Sequence, residues 1–258
     1  MKYAIGITIL PSCFSSSLRA EEKDDFSSLK AKDWQEVFSD KMTGTDWQEK
    51  WFLDGIHAKV SNSKEAMQID TSKGFAVLWT KKEFEGDLRI EYDFKCLDDD
   101  NRKGVNIIYI QARGDGQNGC VEDITQWSEK RELAAMKNYF LNMHTYHISY
   151  ATSKRGDKNN DYVRARRYMP LENKGLSETE LKGDYSKVDL FSDREWLRIA
   201  IIKKDKKIWM EVKHPKTTKI FKFENVDKPG IEAGRIGLRL MPERLSHFKN
   251  FRVYELKK

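Results

Sequence analysis

Two of the chain's five histidines, His144 and His147, lie three residues apart in the segment NMHTYHISY (residues 142–150). On an α-helix this spacing would place both imidazoles on one face, where they could bind one metal ion. On a β-strand it would place them on opposite faces. The segment is rich in Tyr, Thr and Ile, which favours a strand. We therefore predict that His147 shares a face with Thr145 and Ser149, and that the two histidines hold no common metal.

Neighbouring segments show the same alternation of apolar and polar residues, which is typical of strands with one face in a core. IIYIQARG (107–114), YVRARRYMP (162–170) and GLRLM (237–241) each combine an apolar face with a face of Tyr, Gln or Arg. The predicted core face comprises Ile108, Ile110, Ala112, Val163, Ala165, Leu238 and Leu240. The predicted polar face comprises Tyr109, Gln111, Arg113, Tyr162, Arg164, Arg166, Tyr168 and Arg239.

If these strands share a sheet, their polar faces form one surface that suits an anionic, hydroxyl-rich ligand. Arginine binds carboxylate and sulfate groups bidentately, and aromatic rings cover the faces of sugars. Trp79, in VLWT, could add an aromatic platform, although such a residue is more often part of a core. A solvated antiparallel sheet shows the same alternation. A structural His147, and a solvated basic face at Arg164, Arg166 and Arg167, therefore stay open as alternatives.

A competing arrangement is the pair Glu91 and Asp93 in RIEYDFK. Retaining glycosidases need two carboxyl groups about 5–5.5 Å apart, and residues two apart on a strand are roughly 6.5–7 Å apart at the backbone. The third acid of the E-x-D-x-E pattern is replaced by Lys95, however. Arg89 and Lys95 flank the pair on the same face and would favour charged carboxylates, which disfavours a general acid.

Ten short segments rich in Val, Ile, Tyr and Phe, separated by polar turns such as DDDNRKG and KPG, are predicted strands. They are residues 75–80, 88–97, 105–113, 145–149, 162–168, 196–204, 207–213, 219–225, 235–241 and 248–256. This pattern predicts an all-β fold, a jelly-roll or related sandwich of two antiparallel sheets, as a single domain over residues 33–257. A minor helix is expected near 126–138. The predicted core includes Leu88, Ile90, Ile108, Ile110, Ile199, Ile201, Ile236 and Leu238.

Residues 1–20 have the layout of a secretory signal peptide. Lys2 precedes an apolar run at residues 3–10, and a small, polar stretch follows it. Cleavage after Ala20 is one prediction. The other starts from LPSC, a loose lipobox in which Cys13 would become the lipidated first residue of a bacterial lipoprotein. We therefore expect an exported protein that is periplasmic, tethered to the outer membrane or secreted.

The remaining cysteines, Cys96 and Cys120, lie on or beyond separate predicted strands. An oxidising compartment would allow a bridge between them, but this placement does not favour one. No Cys or His spacing indicates zinc, so no metal or other cofactor is expected. The formal net charge of +6 indicates an acidic partner. Basic and aromatic residues do not follow a nucleic-acid-binding module, so no nucleic acid is expected.

Several segments together carry a resemblance to a known family: VLWTKKEFEGDLRIEYDFKCLDDD (77–100), IIYIQARGDGQNG (107–119), HISY (147–150), GRIGLRLMPE (234–243) and FKNFRVYEL (248–256). Over about residues 45–256 the sequence resembles the YesU-like family of bacterial jelly-roll proteins. The resemblance implies a concanavalin-type sandwich that acts on acidic plant or algal polysaccharides. A relative is an ulvan oligosaccharide dehydratase, which removes water from a saturated terminal uronic acid and leaves a 4,5-unsaturated sugar.

This elimination requires a group that neutralises the C5 carboxylate, a base for the α-proton and an acid for the departing 4-hydroxyl. Jelly-roll alginate lyases meet the same needs with Arg, Gln, His and Tyr in one groove. By this analogy of function, Arg113 and Gln111 would bind the carboxylate, His147 would be the base and Tyr168 the acid. Arg166 would stabilise the developing charge or bind a neighbouring sulfate.

Tyr109 and Tyr162 are alternative acids, and we expect them to bind substrate together with Trp79, Arg164 and Arg239. The chain lacks the R-S-E-L-R and Q-I-H motifs of the alginate lyases. The predicted function is a lyase or dehydratase acting on an oligosaccharide that contains uronic acid, with ulvan as the expected source. The alternatives are a non-catalytic carbohydrate-binding module and the glycoside hydrolase described above.

Overall fold

The computed structural model describes residues 25–98, 104–152, 161–170, 175–191 and 193–257. The predicted leader at residues 1–20, with Cys13, lies outside these ranges. Within them the chain has sixteen strands. They are β1 (Trp34–Asp40), β2 (Trp51–Asp54), β3 (Lys59–Asn62), β4 (Met67–Asp70), β5 (Ala76–Thr80), β6 (Phe84–Glu85), β7 (Leu88–Cys96), β8 (Gly104–Gly114), β9 (Met143–Thr152), β10 (Tyr162–Arg167), β11 (Glu180–Ser186), β12 (Leu197–Lys204), β13 (Lys207–His214), β14 (Thr217–Glu224), β15 (Ala233–Leu240) and β16 (Leu245–Leu256).

The described strands form two antiparallel layers. The front sheet has the order β2-β5-β15-β8-β9-β10, and the back sheet has the order β14-β13-β12-β7-β16-β4-β3. β1 pairs with β16, and β6 pairs with β15. β11 pairs with both β10 and β14 and thereby connects the two sheets along one side. The predicted all-β jelly-roll sandwich is confirmed.

Apolar side chains that alternate along the strands fill the space between the sheets, as expected for a sandwich. The eight core residues predicted on β7, β8, β12 and β15, from Leu88 to Leu238, are fully buried in this cluster. The strand assignment of residues 145–149 is confirmed as well, because Tyr146, Ile148 and Tyr150 on β9 point into it. A second, smaller apolar cluster lies on the outer face of the front sheet.

Helical elements are short. The helix α1 (Phe26–Lys30) was not expected, and it packs Phe26 and Leu29 on the outer face of the back sheet. The helix expected near 126–138 is divided into a 3₁₀ segment, Ile124–Arg131, and the helix α2 (Met136–Phe140). The break between them falls at Ala134, which has a φ of 47°. A further 3₁₀ segment spans Trp47–Glu49.

Cys96 and Cys120 are both buried and free, so they form no bridge with each other. In the described ranges, no helix is long and apolar enough to cross a membrane. Across the same residues, no group of three or more His, Cys, Asp or Glu side chains could hold a metal ion.

Two isoleucines on neighbouring parts of the back sheet test the packing of the core. Ile201 on β12 is fully buried, whereas Ile220 on β14 is 47% exposed. We expect Ile201→Ala to lower the free energy of unfolding by about 2–5 kcal/mol, because it removes apolar contacts and leaves a cavity. The matched Ile220→Ala should change it by less than about 0.5 kcal/mol. Chemical denaturation measures both, and equal losses would contradict this description of the core.

Candidate functional site

One row of residues crosses the front sheet and contains several of the side chains that the sequence indicated. On β5, Trp79 is opposite Gly237 of β15, which is opposite Tyr109 of β8 on its other side. Tyr109 is opposite His147 of β9, and His147 is opposite Arg166 of β10. The row lies on the outer face, away from the main core. We call the buried side chains of this face the front-face cluster: Trp79, Tyr109, His147, Tyr168 and Arg239.

The glycine in this row makes room for an aromatic stack. A Cβ atom at Gly237 would lie 2.5 Å from the Trp79 ring, so the indole occupies the space above the glycine. Trp79 stacks on Tyr109 with a centroid separation of 5.5 Å and an interplanar angle of 15°. The Tyr109 ring meets the His147 imidazole edge-on at 5.7 Å. The stack therefore holds the imidazole in a fixed orientation.

His147 and Tyr168 form a short hydrogen bond, with 2.6 Å between Nδ1 and Oη. The backbone N–H of Tyr168 donates to the carbonyl of Thr145 at 3.0 Å, which holds the phenol beside β9. Burial, together with the charges of Arg166 and Arg239, lowers the pKa of His147 well below its usual value. Burial raises the pKa of Tyr168 well above its usual value. At neutral pH the pair is therefore a neutral imidazole beside a protonated phenol.

The other imidazole nitrogen, His147 Nε2, is buried without a hydrogen-bond partner in the described part of the chain. When the hydrogen is on Nδ1, His147 donates to Tyr168 and Nε2 keeps a lone pair that can accept a proton. In the opposite tautomer Tyr168 donates and Nε2–H is the unpaired group. Either state leaves an unpaired polar atom at Nε2, where a ligand could supply its partner. His144 is held elsewhere, by a 3.2 Å contact with Arg167.

Residues 124–140 cover the front-face cluster, and we call them the cover. Met136, the first residue of α2, places its sulfur 3.7 Å from Tyr109 Oη and 4.0 Å from Tyr168 Oη. The Tyr139 ring stacks on Tyr109 with 5.7 Å between centroids. Met136 is partly exposed whereas both phenols under it are buried. Its side chain therefore closes the cluster on the solvent side.

A buried carboxylate anchors the cover to the sheet. Asp54, at the end of β2, accepts hydrogen bonds on Oδ2 from Arg131 Nε at 2.6 Å, Trp79 Nε1 at 2.7 Å and Tyr139 Oη at 3.1 Å. The Asp54 and Arg131 side chains are fully buried. Arg131 also donates to the backbone carbonyls of Ile124 and Trp127. One carboxylate thus joins the cover to an edge strand of the front sheet and to the indole of the stack.

Arg239 on β15 is fully buried next to this anchor. Its Nη2 donates to the carbonyl of Ala134 at 2.9 Å, while Nε and Nη1 have no partner in the described residues. The guanidinium lies 4.8 Å from the Tyr139 ring centroid and 5.4 Å from that of Phe75. Aromatic faces stabilise a cation in part, but no described carboxylate neutralises this one.

Beyond His147 the row ends at a cleft between β10 and β11, with a volume of about 320 Å³. Arg166 pairs with Glu180 at 2.5 Å, and Arg164 pairs with Asp184 at 2.8 Å. Arg164 also lies over the ring of the half-buried Tyr162, 4.4 Å from its centroid. Arg164 and Arg166 therefore line this cleft, where both already have carboxylate partners, and Tyr162 lies next to Arg164.

The structure does not bring Gln111 and Arg113 to the front-face cluster. β8 has a bulge at this point, and Gln111 has a φ of 54°. The side chain of Gln111 donates to the carbonyl of Gly86 at 2.9 Å, and Arg113 forms a half-exposed ion pair with Glu122 at 3.2 Å. The bulge also moves Ala112 to the outer face, where it joins the smaller apolar cluster. The prediction that Ala112 faces the main core is wrong, because alternation fails across the extra residue.

Glu91 and Asp93 lie on the back sheet, on the face directed away from the main core. Arg198 binds Glu91 at 2.7 Å and Asp93 at 3.1 Å, and Asn250 donates to Asp93 at 2.6 Å. Both carboxylates are thus held as charged partners of one arginine. This arrangement disfavours their use as a general acid and nucleophile.

Sequence reasoning missed Asp54, Arg131, Met136 and Tyr139. None of them belongs to an alternating segment that faces the predicted surface. Their contacts depend on how residues 124–140 fold back over the sheet. The one available signal is Asp54 itself, an acidic residue directly after the apolar run WFL.

The two-sheet architecture places this protein among the galectin-like and legume-lectin-like jelly rolls. A Bacillus subtilis protein of unknown function with a galectin-like fold is similar over 88% of this chain and 100% of its own, with a TM-score of 0.67 and 14% identity. Winged bean acidic lectin, solved with methyl-α-D-galactose, is similar over 88% of this chain and 100% of its own, with a TM-score of 0.57 and 7% identity. A legume lectin-like domain from Entamoeba histolytica is similar over 82% of this chain and 92% of its own, with a TM-score of 0.54 and 10% identity. Such low identities show a shared fold alone.

Residues 69–251 match the family described as "Domain of unknown function (DUF6250)". The match spans more than half of the chain, so the chain belongs to that family. No curated protein matches the sequence. The fold implied by the YesU-like resemblance is confirmed, and the activity it implies stays a prediction.

The buried pair Asp54 and Arg131 should be costly to break. We expect Asp54→Asn or Arg131→Met to lower the free energy of unfolding by about 3–5 kcal/mol, because each leaves a buried group without its charged partner. The double variant should lose less free energy of unfolding than the two single variants lose in sum. Asp184→Asn, which breaks the exposed pair with Arg164, is the matched control and should cost at most about 1 kcal/mol. Denaturant unfolding of the four variants tests this, and additive effects would show that the two side chains are not coupled.

Burial of His147 also predicts how stability depends on pH. Its pKa is lower in the folded than in the unfolded chain, so acidification below about pH 6.5 protonates the unfolded state first. The stabilisation is complete above that pH and is lost as the pH falls towards the folded pKa, by up to about 1.4 kcal/mol per pH unit. His147→Gln should remove this part of the pH dependence, whereas exposed His57→Gln should keep it. If the free energy of unfolding changed equally with pH in wild type and in His147→Gln between pH 7 and 5, the assignment would be contradicted.

Proposed function

We propose that this protein binds an acidic oligosaccharide at the front-face cluster and eliminates water from its terminal uronate. The observation that carries the proposal is the 2.6 Å contact between His147 Nδ1 and Tyr168 Oη. Burial keeps the imidazole neutral and the phenol protonated. A base and an acid are thus adjacent at neutral pH, and such pairs with divergent pKa values are typical of acid–base sites. The lectin-like fold supports a sugar ligand.

The elimination balances with these two residues. His147 Nε2 accepts the C5 proton, the C4–O bond breaks, and Tyr168 Oη gives its proton to the departing hydroxyl, which leaves as water. The Nδ1 proton of the resulting imidazolium then passes to the phenolate along the existing hydrogen bond. The electron pair of the C5–H bond becomes the 4,5 double bond. The residues return to their neutral forms, and His147 ends in the tautomer that carries its hydrogen on Nε2.

Access requires a change at the cover. The unpaired Nε2 of His147 is buried, so a sugar reaches it after Met136 leaves its contacts with Tyr109 and Tyr168. A methionine side chain is flexible and its thioether is a weak acceptor, so these contacts are inexpensive to exchange. The cleft beside Arg166 would then hold the next sugar unit. Export, which residues 1–20 predict, would bring the protein to polysaccharide fragments outside the cytoplasm.

Sugar binding without turnover is a second candidate, in line with the lectins that share the fold. It is favoured by the complete burial of His147 and Tyr168, which would then be structural. The ligand would occupy the open cleft between β10 and β11. There Tyr162, Arg164 and Arg166 offer an aromatic ring and two arginines at the surface.

Purified protein incubated with saturated-end and unsaturated-end fragments of ulvan, pectin and alginate distinguishes the two candidates. Loss of one water with rising ultraviolet absorbance of the unsaturated uronate would support the dehydratase. Chain cleavage with rising absorbance would instead indicate a lyase. His147→Gln and Tyr168→Phe should each lower kcat by about 10²–10⁴-fold. Arg113→Gln, on the ion pair with Glu122, is the control and should keep turnover.

Thermal unfolding of each variant establishes that lost turnover is not lost structure. Binding of one fragment without any product, in wild type and variants alike, would make the binding module the better description. Cleavage to new reducing ends without ultraviolet absorbance would instead indicate hydrolysis, and would contradict both candidates.

A further inference from the structure

Arg239 is a fully buried cation that has no acidic partner among the described residues. Its Nη2 donates to the carbonyl of Ala134, and in the part of the chain that the structure describes its Nε and Nη1 have no hydrogen-bond partner. Burying an unpaired charge is unfavourable, and the ring faces of Tyr139 and Phe75 offset part of this cost. An acid group supplied by a ligand would satisfy the free nitrogens.

The guanidinium belongs to the same cluster as the acid–base pair. Its charge contributes to lowering the pKa of His147 and counteracts the burial that raises the pKa of Tyr109 and of Tyr168. It therefore acts on both residues of the proposed reaction, His147 and Tyr168, and on Tyr109 beside them. Arg239 lies on β15, next to β8, which carries Tyr109, and two strands from His147.

The hydrogen bond that Arg239 Nη2 donates goes to the cover. The acceptor is the carbonyl of Ala134, two residues before Met136. A shift of this part of the cover that removes Met136 from the phenols would also release Nη2. The whole guanidinium fork would then be available to a planar acid group.

Four other arginines of the front sheet already have carboxylate partners. Arg166 pairs with Glu180, Arg164 with Asp184 and Arg113 with Glu122. Arg235, on the same strand as Arg239, pairs with both Glu83 and Asp123. An acid group that approaches any of these residues must compete with a carboxylate of the chain.

We propose that Arg239 binds the acid group of the oligosaccharide, a carboxylate or a sulfate, in the front-face cluster. This inference rests on the proposed function and assigns to Arg239 the role that the analogy with alginate lyases predicted for Arg113 and Gln111. In the elimination, a carboxylate held by Arg239 makes the C5 proton more acidic, because the guanidinium stabilises the charge that develops when the proton leaves.

Calorimetric binding of one saturated-end ulvan oligosaccharide in native, carboxyl-reduced and desulfated forms tests the assignment. Wild type should bind the form that lacks the recognised acid group about tenfold or more weakly, the loss expected for a hydrogen bond to a charged group. The comparison of the two altered forms distinguishes carboxylate from sulfate. Arg239→Gln should bind all forms with similar, reduced affinity, and Arg239→Lys should keep part of the preference. Arg113→Gln should behave as wild type.

A wild-type protein that binds the native and both altered forms equally would overturn the inference, even if no Arg239 variant folds. So would an Arg239→Gln variant that folds and keeps the full preference. Both results leave the proposed function standing, because the sugar still binds. Failure of wild type to bind or convert any of the ulvan, pectin and alginate fragments counts instead against the proposed function itself.

Discussion

The site depends on the buried hydrogen bonds and ion pair that the Asp54 carboxylate makes. A buried carboxylate is tolerated only when its charge is paired and hydrogen bonds offset its desolvation. Here Arg131, Trp79 and Tyr139 supply three donors to Oδ2, whereas Oδ1 has no partner among the described residues. The donors come from the 3₁₀ segment, from β5 and from α2, so one charge sets the depth of the indole and the position of the cover. The indole in turn stacks on Tyr109, which orients His147.

The same burial that keeps His147 neutral and Tyr168 protonated also closes the site. Desolvation is the largest cause of both pKa shifts, so an open cluster would have a more basic imidazole and a more acidic phenol. Any opening of the cover that admits a ligand must therefore be local and leave most of the front-face cluster buried. The polar contacts of the cover are unequal in strength: Arg131 makes charged, buried hydrogen bonds, whereas the Met136 sulfur lies 3.7 and 4.0 Å from the two phenol oxygens. We expect the start of α2 to yield while the 3₁₀ segment stays anchored.

The period of two residues made the sandwich and its main core predictable, because a strand with one buried face must alternate. The rule failed where the backbone departs from it: the bulge at Gln111 moved Ala112 to the outer face and directed Gln111 towards Gly86. His147, Tyr168, Tyr109 and Trp79 were found because they lie on regular strands or directly after one. The position of the cover was not predicted, because it depends on the pair Asp54 and Arg131. These residues are 77 positions apart in the sequence and meet only in the folded chain.

The front face is not the solvated face that simple alternation also allowed. Tyr109, His147 and Arg239 are at most 3% exposed, under a segment that packs against them. Stability alone would favour apolar residues here, since replacing buried charges by well-packed apolar side chains is often neutral or stabilising. Among the described residues the Arg239 guanidinium has no carboxylate partner and His147 Nε2 has no hydrogen-bond partner, and a charged ligand would satisfy both groups. Perturbed, buried and unpaired groups that gather in one place are characteristic of functional sites, which is why the outer face of the front sheet, rather than the ion pair at Glu91, is the surface to which function is assigned.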